Sequence, residues 1–203
     1  ETYVKGEVKD AEDALKGARD IIAEQVCEDE QARNTVRFAF SRQAVITAKV
    51  VKGKESEADK YRDYFEFSKP LKKCTSHQLL AIRRAEAEGL LKVSISPDDE
   101  ECVERLERRF VRSNNACGEQ VAEAVQDAYK RLLKSSIETE FAAQSKEQAD
   151  EEAIRVFVQN LRQLLLASPL GQKRVMGIDP GFRTGCKVVC LDAQGNLLHN
   201  ENI

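Results

Sequence analysis

The residues whose types best suit chemistry lie near the end of this sequence, where a carboxylate precedes a glycine-containing turn. Asp179 follows the apolar run of residues 175–178 and comes directly before Pro180 and Gly181. A second apolar run occupies residues 188–191. This pattern predicts a β-meander in which the carboxylate lies where the first strand ends.

An aspartate at that position is compatible with three interpretations. In the first, the carboxylate binds Mg²⁺ and the open backbone of the turn lets a phosphate approach, as in ribonuclease H-like nucleases, which take further acids from later strands. In the second, the turn N–H groups hold nucleotide phosphates, as in actin-like and sugar-kinase domains. In the third, Asp179 and Gly181 only make a tight turn. The motif alone leaves all three open.

Cationic side chains form the second group of candidates, because arginine and lysine bind phosphates. Four arginines fall within eight residues, at Arg105, Arg108, Arg109 and Arg112. Cations also stabilise the C-terminus of a helix, and Glu104 and Glu107 are close enough in sequence to pair with them. We therefore favour a solvated helix face over a phosphate site for this cluster.

An aromatic segment offers a further possibility of nucleic-acid contact. Its aromatic residues are Tyr61, Tyr64, Phe65 and Phe67, and the cations near them are Arg62, Lys69, Lys72 and Lys73. Aromatic rings beside cations can stack on bases. The alternative, which we favour, is that these rings anchor a connector to the helical core.

Composition narrows the class of protein. The 203 residues are 41% hydrophobic and 33% charged, which is typical of a helix-rich globular chain and not of a disordered one. The net charge of −3 provides no global basic field for nucleic acid, so any such contact depends on local patches. Six cysteines without a CxxC pair favour reduced thiols in the cytoplasm over a disulfide framework or a metal site. No apolar run is long enough to predict a membrane span.

Most of the chain repeats with the helical period. Helices are predicted over residues 11–26 with Asp10 as the cap, 30–41, 75–88, 97–111, 119–141 and 150–166. In the last of these, a wide apolar stripe is predicted to pack against other helices; it comprises Ile154, Phe157, Val158, Leu161, Leu164 and Leu165. Thr75 and Gln78 form a predicted capping box, and Gly89 suits the left-handed position after that helix.

Two short β-rich segments interrupt the helices. Residues 44–51 and 90–95 are rich in β-branched or alternating apolar residues and are predicted to pair as a small two-stranded insert. The expected fold class is therefore mainly α: a multi-helical scaffold with a two-stranded insert, followed by the first strands of a further domain. Because a three-stranded beginning is not a domain, we expect the chain to be part of a larger protein, with strands that are poorly ordered, docked on the helices or paired with a second copy.

Longer stretches carry a family resemblance. The sequence GIDPGFRTGCKVVCLDAQGNLL resembles the entry into the YqgF/RuvC-like ribonuclease H domain of the Tex family of bacterial transcription accessory proteins. EDALKGARDIIAE, KYRDYFEFSKPLKK and HQLLAIRRAEAEGLLKVSI resemble upstream parts of the same family, in the same order. The resemblance covers nearly the whole chain.

The resemblance implies a cytoplasmic, multidomain protein that binds nucleic acid and is associated with transcription. Residues 1–171 would belong to its helical N-terminal region and residues 172–203 to the start of its YqgF-like domain; helix-hairpin-helix and S1 modules would lie elsewhere in the parent. The residues that match the motif around Asp179 are Gly177, Pro180, Gly181, Arg183 and Gly185.

The resemblance also implies a function, namely a helical scaffold in a transcription accessory protein. RNA or DNA is the expected partner of the full-length parent, with transcription machinery as a further partner and no membrane contact. The candidate contact residues are Arg183, Lys72, Lys73, Arg83, Arg84, Arg105, Arg108, Arg109 and Arg112. No cofactor is expected. The alternative is a metal-dependent nuclease or resolvase, in which Asp179 would be a catalytic carboxylate that binds Mg²⁺ together with later acids.

Overall fold

The structure, a computed structural model, describes residues 8–181 and 185–203. The chain divides into two compact units, the first ending at Val156 and the second running from Phe157 to Ile203. The two units are described separately below.

The described residues form six α-helices and six β-strands. The helices are Ala11–Glu28 (α1), Glu30–Gln43 (α2), Ser76–Ala87 (α3), Asp99–Phe110 (α4), Ala116–Asp127 (α5) and Lys134–Leu165 (α6). The strands are Val45–Val50 (β1), Glu66–Pro70 (β2), Leu91–Ser96 (β3), Val175–Gly181 (β4), Gly185–Leu191 (β5) and Leu197–Asn202 (β6). The mainly α fold class predicted from the sequence is confirmed.

The starts of the first two helices follow from their capping residues. The carboxylate of Asp10 accepts a hydrogen bond from the Asp13 N–H at 2.9 Å. The carboxylate of Asp29 accepts one from the Ala32 N–H at 2.7 Å. Each bond satisfies a backbone donor that has no partner inside its helix, which fixes where the helix begins. Gly89 has the predicted left-handed conformation, with φ of +69°.

The first unit contains a three-stranded antiparallel sheet in the order β2-β1-β3. The two predicted strands do pair, with Ile46 opposite Ile95, but a third strand, β2, lies on the other edge of β1. The prediction of a two-stranded insert was therefore wrong in its strand number. β2 is only five residues long and ends in Pro70, so its alternation was too short to read from the sequence.

The outer edge of β3 is closed by a side chain from α6. Glu138 Oε1 accepts hydrogen bonds from the Ile95 N–H at 2.6 Å and from Ser94 Oγ at 3.0 Å. An unpaired edge N–H would otherwise be free to pair with another chain. This carboxylate therefore connects the sheet to the long helix and protects its edge.

A buried apolar core joins the sheet to the helices of the first unit. Its largest fully buried side chains include Tyr129, Phe40, Ile46, Leu106 and Leu133. Among the described residues, no polar or charged residue is buried. A core of this composition stabilises the unit through the transfer of apolar surface out of water.

The two long helices predicted over 119–141 and 150–166 are arranged differently in the structure. α5 leads through a π-helical turn, Ala128–Leu133, into α6, which is one continuous helix of 32 residues. The break expected between the two predictions is absent because residues 142–150 contain neither glycine nor proline and are mostly good helix formers. The prediction of two separate helices on either side of this stretch was therefore wrong.

The second unit contains the predicted meander, an antiparallel sheet in the order β4-β5-β6. The apolar stripe predicted to pack against other helices is exposed instead, from 39% exposure at Leu161 to 75% at Leu164. β4 runs through Asp179 and Pro180 to Gly181, so the motif belongs to the strand itself. The prediction that Asp179 lies where the strand ends was wrong, because the backbone ladder continues for two more residues.

Candidate nucleic-acid interface

The arginine cluster of α4 is largely neutralised by acids. Arg105 pairs with Glu101 at 2.5 Å and Arg108 with Glu104 at 2.5 Å, both one helical turn away. The expected partner Glu107 instead accepts a hydrogen bond from Gln126 Nε2 at 2.9 Å. These pairs support the solvated-face interpretation, because an arginine already bound to a carboxylate has less to offer a phosphate.

Arg109 connects α4 to the start of α2. Its Nη2 lies 3.1 Å from Asp29 Oδ2, and its Nη1 hydrogen-bonds Gln31 Oε1. The backbone N–H of Ala32, followed by Arg109, lowers the pKa of Asp29, so this carboxylate stays ionised and holds the guanidinium. Arg112, beyond the helix, is exposed and has no ion-pair partner among the described residues.

Lys72 and Lys73 offer cations that no described acid neutralises. They lie in the short 3₁₀ helix Leu71–Lys73 and are exposed. Lys72 borders a cleft of about 440 Å³, whose other lining residues are Phe40, Ser41, Leu71, Cys74, Ser76, Leu79, Phe141, Gln144, Ser145, Gln148, Ala149 and Glu152. Burial raises the pKa of the Cys74 thiol, so the cleft does not carry a reactive thiolate at neutral pH.

The aromatic segment anchors its connector, as favoured from the sequence. Tyr61 is buried and its hydroxyl donates to Glu88 Oε1 at 3.0 Å. Tyr64, Phe65 and Phe67 are partly buried against the core. Rings held in this way do not form an open stacking platform for bases.

Arg83 and Arg84 lie on α3 in different environments. Arg83 Nη1 lies 2.7 Å from Glu86 Oε2, and its side chain is largely buried. Its Nε and Nη2 atoms are buried without a hydrogen-bond partner among the described residues. Arg84 is exposed to solvent. The structure therefore makes Arg84 the more accessible of the two candidate cations.

Asp179 is exposed on β4, opposite Lys187 of β5. Within residues 8–181 and 185–203, no group of three or more His, Cys, Asp or Glu side chains is arranged to hold a metal ion. A metal at Asp179 would therefore need ligands from other parts of the parent protein. Arg183 lies outside the described residues.

One face of α2 carries candidate residues that sequence reasoning did not single out. Phe38 is 51% exposed, and the Arg42 guanidinium lies over its ring at 4.8 Å from the centroid. Beside the ring is a groove of about 320 Å³ lined by Gln31, Asn34, Thr35, Phe38 and Arg105. The available signal was the spacing of residues 31, 34, 35, 38 and 42, which places them on one helix face.

Comparison with known proteins assigns the family. Residues 1–157 match the family described as "Tex central region-like", and residues 173–203 match the "Tex protein YqgF-like domain". The chain belongs to the Tex family. The first of these matches alone covers most of the chain, and the order of the two is that of the resemblance noted in the sequence.

Proteins similar to this chain occur in bacteria and in human. The chain is 36% identical to "Transcriptional accessory protein Tex" of Neisseria gonorrhoeae, over 98% of this chain and 28% of that protein. It is 37% identical to "Protein YhgF" of Escherichia coli K12, over 99% and 27%. It is 31% identical to "S1 RNA-binding domain-containing protein 1" of Homo sapiens, over 98% and 22%.

The chain thus spans about a quarter of the length of the bacterial relatives it matches. No helix in the described parts of the chain is long and apolar enough to cross a membrane.

Proposed function

We propose that this chain is the helical scaffold of a cytoplasmic, nucleic-acid-binding transcription accessory protein and leads into its YqgF-like domain. Residues 1–171 are assigned to the scaffold and residues 172–203 to the start of the YqgF-like domain. Two relatives support the proposal by name, one as a transcriptional accessory protein and another through its S1 RNA-binding domain. RNA or DNA is the proposed partner of the parent, and transcription machinery a further one.

The observation that carries the scaffold role is the ion pairing on α4. Three arginines of the α4 cluster bind carboxylates of this same chain, namely Arg105, Arg108 and Arg109. Each fully buried leucine, isoleucine or phenylalanine of the core adds about 1.5–3 kcal/mol before conformational entropy is counted. These contacts stabilise a rigid unit and leave little cationic surface on α4 for a polyanion.

Weak nucleic-acid contact is assigned to those candidate residues that have no described acid partner, namely Lys72, Lys73, Arg84 and Arg112. The main role of the remaining candidates is assigned to contacts within the chain, and phosphate binding is a secondary role. These residues are Arg83, Arg105, Arg108 and Arg109. Arg183 remains a candidate from the family motif alone.

Fluorescence anisotropy with labelled single-stranded RNA and duplex DNA tests this proposal. We expect the full-length parent to bind tightly and the 203-residue chain weakly. Three phosphate contacts on single-stranded RNA predict a loss of about 20-fold in affinity between about 50 and 200 mM salt. A tight, salt-resistant complex of the 203-residue chain, or a parent that binds neither RNA nor DNA, would refute the proposal.

A matched pair of variants tests the assigned contact surface. K72A/K73A removes two exposed cations near the cleft, and K9A/K16A removes two exposed cations from the N-terminal part of the unit. We expect K72A/K73A to weaken RNA binding and to reduce the salt slope by about 1.4, at 0.7 for each single-strand contact. K9A/K16A has the same net charge, so an equal loss in both variants would mean that binding follows net charge alone.

A second candidate function is that of a metal-dependent nuclease. The observation in its favour is the exposed position of Asp179 on the first strand of the second unit. Its carboxylate would hold Mg²⁺ together with acids supplied by the rest of the parent. Mg²⁺- or Mn²⁺-dependent cleavage by the parent, abolished by D179N, is the expected result. Unchanged cleavage in D179N, or a parent without cleavage, would remove this candidate.

A further inference from the structure

One solvent-facing face of α2 carries uncharged polar side chains, an exposed aromatic ring and an arginine. From its N-terminal end the face carries the amides of Gln31 and Asn34, the hydroxyl of Thr35, the ring of Phe38 and the guanidinium of Arg42. The first four line a groove that Arg105 of α4 closes on one side. Arg42 lies one turn further along, so the groove and the cation flank the ring at opposite ends.

Several of these side chains are held in place by contacts within the unit. Arg109 Nη1 hydrogen-bonds Gln31 Oε1, and Arg37 Nη1 donates to Asn34 Oδ1 at 3.3 Å. The carbonyl ends of both amides are thus engaged, and their NH₂ groups have no acceptor among the described residues. The groove therefore offers fixed donors beside an exposed aromatic ring.

The uncompensated cation of this face, Arg42, lies at its C-terminal end, next to the ring. The nearby acids Asp29, Glu101 and Glu140 each pair with an arginine of this chain, at 3.1, 2.5 and 3.0 Å. Glu30, one helical turn before Asn34, is exposed and has no ion-pair partner among the described residues. Arg33 bonds only neutral groups, Ser136 Oγ at 3.2 Å and the Cys27 carbonyl. Neither Arg33 nor Arg42 has an ion-pair partner within the described residues. Arg33 contacts Ser136 and Cys27 rather than the groove, so Arg42 is the uncompensated guanidinium beside the ring.

The groove suits a base better than an apolar side chain. Phe38 is its only apolar lining residue, and the remaining lining groups are amides, a hydroxyl and a guanidinium. Protein interfaces place several apolar anchors at their centre, which this groove lacks. A single aromatic face beside amide donors and arginine is the combination by which proteins bind an unstacked base and its phosphate.

We infer that the Phe38 face of α2 is a binding site for single-stranded RNA, in which one base stacks on Phe38, the amides of Gln31 and Asn34 contact its edge, and Arg42 binds a neighbouring phosphate. This inference deepens the proposed function, on which it rests, by naming a contact site on the scaffold itself. It predicts a contribution from base stacking, whereas Lys72 and Lys73 contribute through charge.

Anisotropy with oligouridine of about 15 nucleotides and with an abasic RNA of the same length separates these contributions. F38A should weaken binding of oligouridine to the 203-residue chain by about 5-fold to 150-fold, the range measured for loss of one stacked base. It should leave binding of the abasic RNA unchanged, because the phosphates remain. The control I21A removes another apolar side chain, 59% exposed on α1, and should change neither affinity. R42A should reduce the salt slope by about 0.7, and R42K should restore it.

A direct optical readout is available because the chain contains no tryptophan. F38W places a single indole at the proposed site, and oligouridine should quench its fluorescence saturably, with the same midpoint as the anisotropy. I21W places the indole on α1 and should not be quenched. Circular dichroism melts of F38A and I21A should match that of the unaltered chain, since both side chains face solvent.

Three outcomes would overturn the inference. Oligouridine binding that F38A leaves unchanged, without quenching of F38W, would place the RNA site elsewhere and leave the proposed function intact. Absence of binding and of quenching up to millimolar oligonucleotide would exclude the site. A blue shift of F38W emission on adding the separately produced remainder of the parent, without a response to RNA, would assign the groove to a protein contact. Failure of the proposed function is measured separately, by the binding of RNA and DNA to the full-length parent.

Discussion

Replacing Tyr129 by phenylalanine tests the polar contact that fixes the start of the long helix. Tyr129 lies in the π-helical turn before α6, is fully buried, and donates from its hydroxyl to Asp99 Oδ1 at 2.7 Å. Asp99 also accepts from Ser96 Oγ at 2.9 Å and lies 2.5 Å from Lys134 Nζ. One carboxylate thus connects the end of β3, the start of α4, the π-helical turn and the start of α6.

The expected loss follows from the charge of the acceptor. A hydrogen bond to an ionised carboxylate contributes about 1.5–3 kcal/mol, roughly twice the value for a neutral pair. Y129F removes this bond and little volume, so we expect it to lower the free energy of unfolding by about 1.5–3 kcal/mol. For a chain of this length, that loss lowers Tm by roughly 3 to 12 °C.

The pH dependence gives the prediction a second signature. Partial burial alone would raise the pKa of Asp99, but hydrogen bonds from Lys134, Tyr129 and Ser96 outweigh it and lower the pKa. A carboxylate with a lowered pKa stabilises the fold above its unfolded-state pKa and loses that contribution as pH falls through the folded-state value. Because Y129F lacks one of these bonds, the stability difference between the two proteins should shrink below about pH 4.

The tyrosine acts in the opposite direction at high pH. Burial, followed by the bond to Asp99, raises the pKa of Tyr129 in the folded chain. The unaltered chain therefore loses stability as pH rises above the unfolded-state pKa of about 10, and the phenylalanine variant does not. The difference between the two proteins should therefore be greatest near neutral pH and decline on both sides.

Urea unfolding followed by circular dichroism at several pH values is the assay. The control is Y64F, because Tyr64 is also partly buried but its hydroxyl has no hydrogen-bond partner among the described residues. We expect Y64F to stay within about 0.5 kcal/mol of the unaltered chain. A Y129F loss as small as that of Y64F, or one that is constant with pH, would show that the Asp99 contact does not stabilise this junction.

Three further substitutions test separate parts of the first unit. E138A should leave the Ile95 N–H without its acceptor and lower the free energy of unfolding by about 1–3 kcal/mol, measured by thermal melting. It should also promote self-association through the exposed sheet edge, measured by light scattering. An unchanged melting curve would contradict this prediction. G17A should stabilise α1 by about 0.5–1 kcal/mol, since an added Cβ meets nothing within 4 Å. G118A should destabilise α5 by about 1–3 kcal/mol, because its Cβ would lie 1.9 Å from the Ser113 carbonyl oxygen; equal melting temperatures for the two alanine variants would refute this contrast.

The parts of the fold that the sequence predicted well are those specified by local chemistry. Asp10 caps α1 through a bond to a residue three positions away, and Gly89 adopts the conformation that only glycine takes readily. β1 and β3 were visible because β-branched residues cluster in them. β2 was not predicted, since its place at the edge of β1 depends on long-range pairing and a five-residue segment carries little signal of its own.

The sequence predicted which residue types could form a site, but not which of their side chains are free to contact a ligand. The sequence identified the arginines of α4, and only the structure shows that Arg109 reaches Asp29, eighty positions away. It identified Asp179, but not that β4 continues past it to Gly181. The sequence analysis did not single out Phe38, because a phenylalanine on a helix is usually counted as core until its exposure is known.

The residue four positions earlier in the helix distinguishes Arg42 from Arg105 and Arg108. Glu101 precedes Arg105 and Glu104 precedes Arg108 at this spacing, and both pairs form. The residue four positions before Arg42 is Phe38, so the guanidinium lies over a ring and keeps its charge uncompensated within the described residues. A ring attracts a cation without neutralising it, whereas a carboxylate does both. α2, whose arginines are spread over positions 33 to 42, therefore presents in Arg42 a cation that a polyanion can reach.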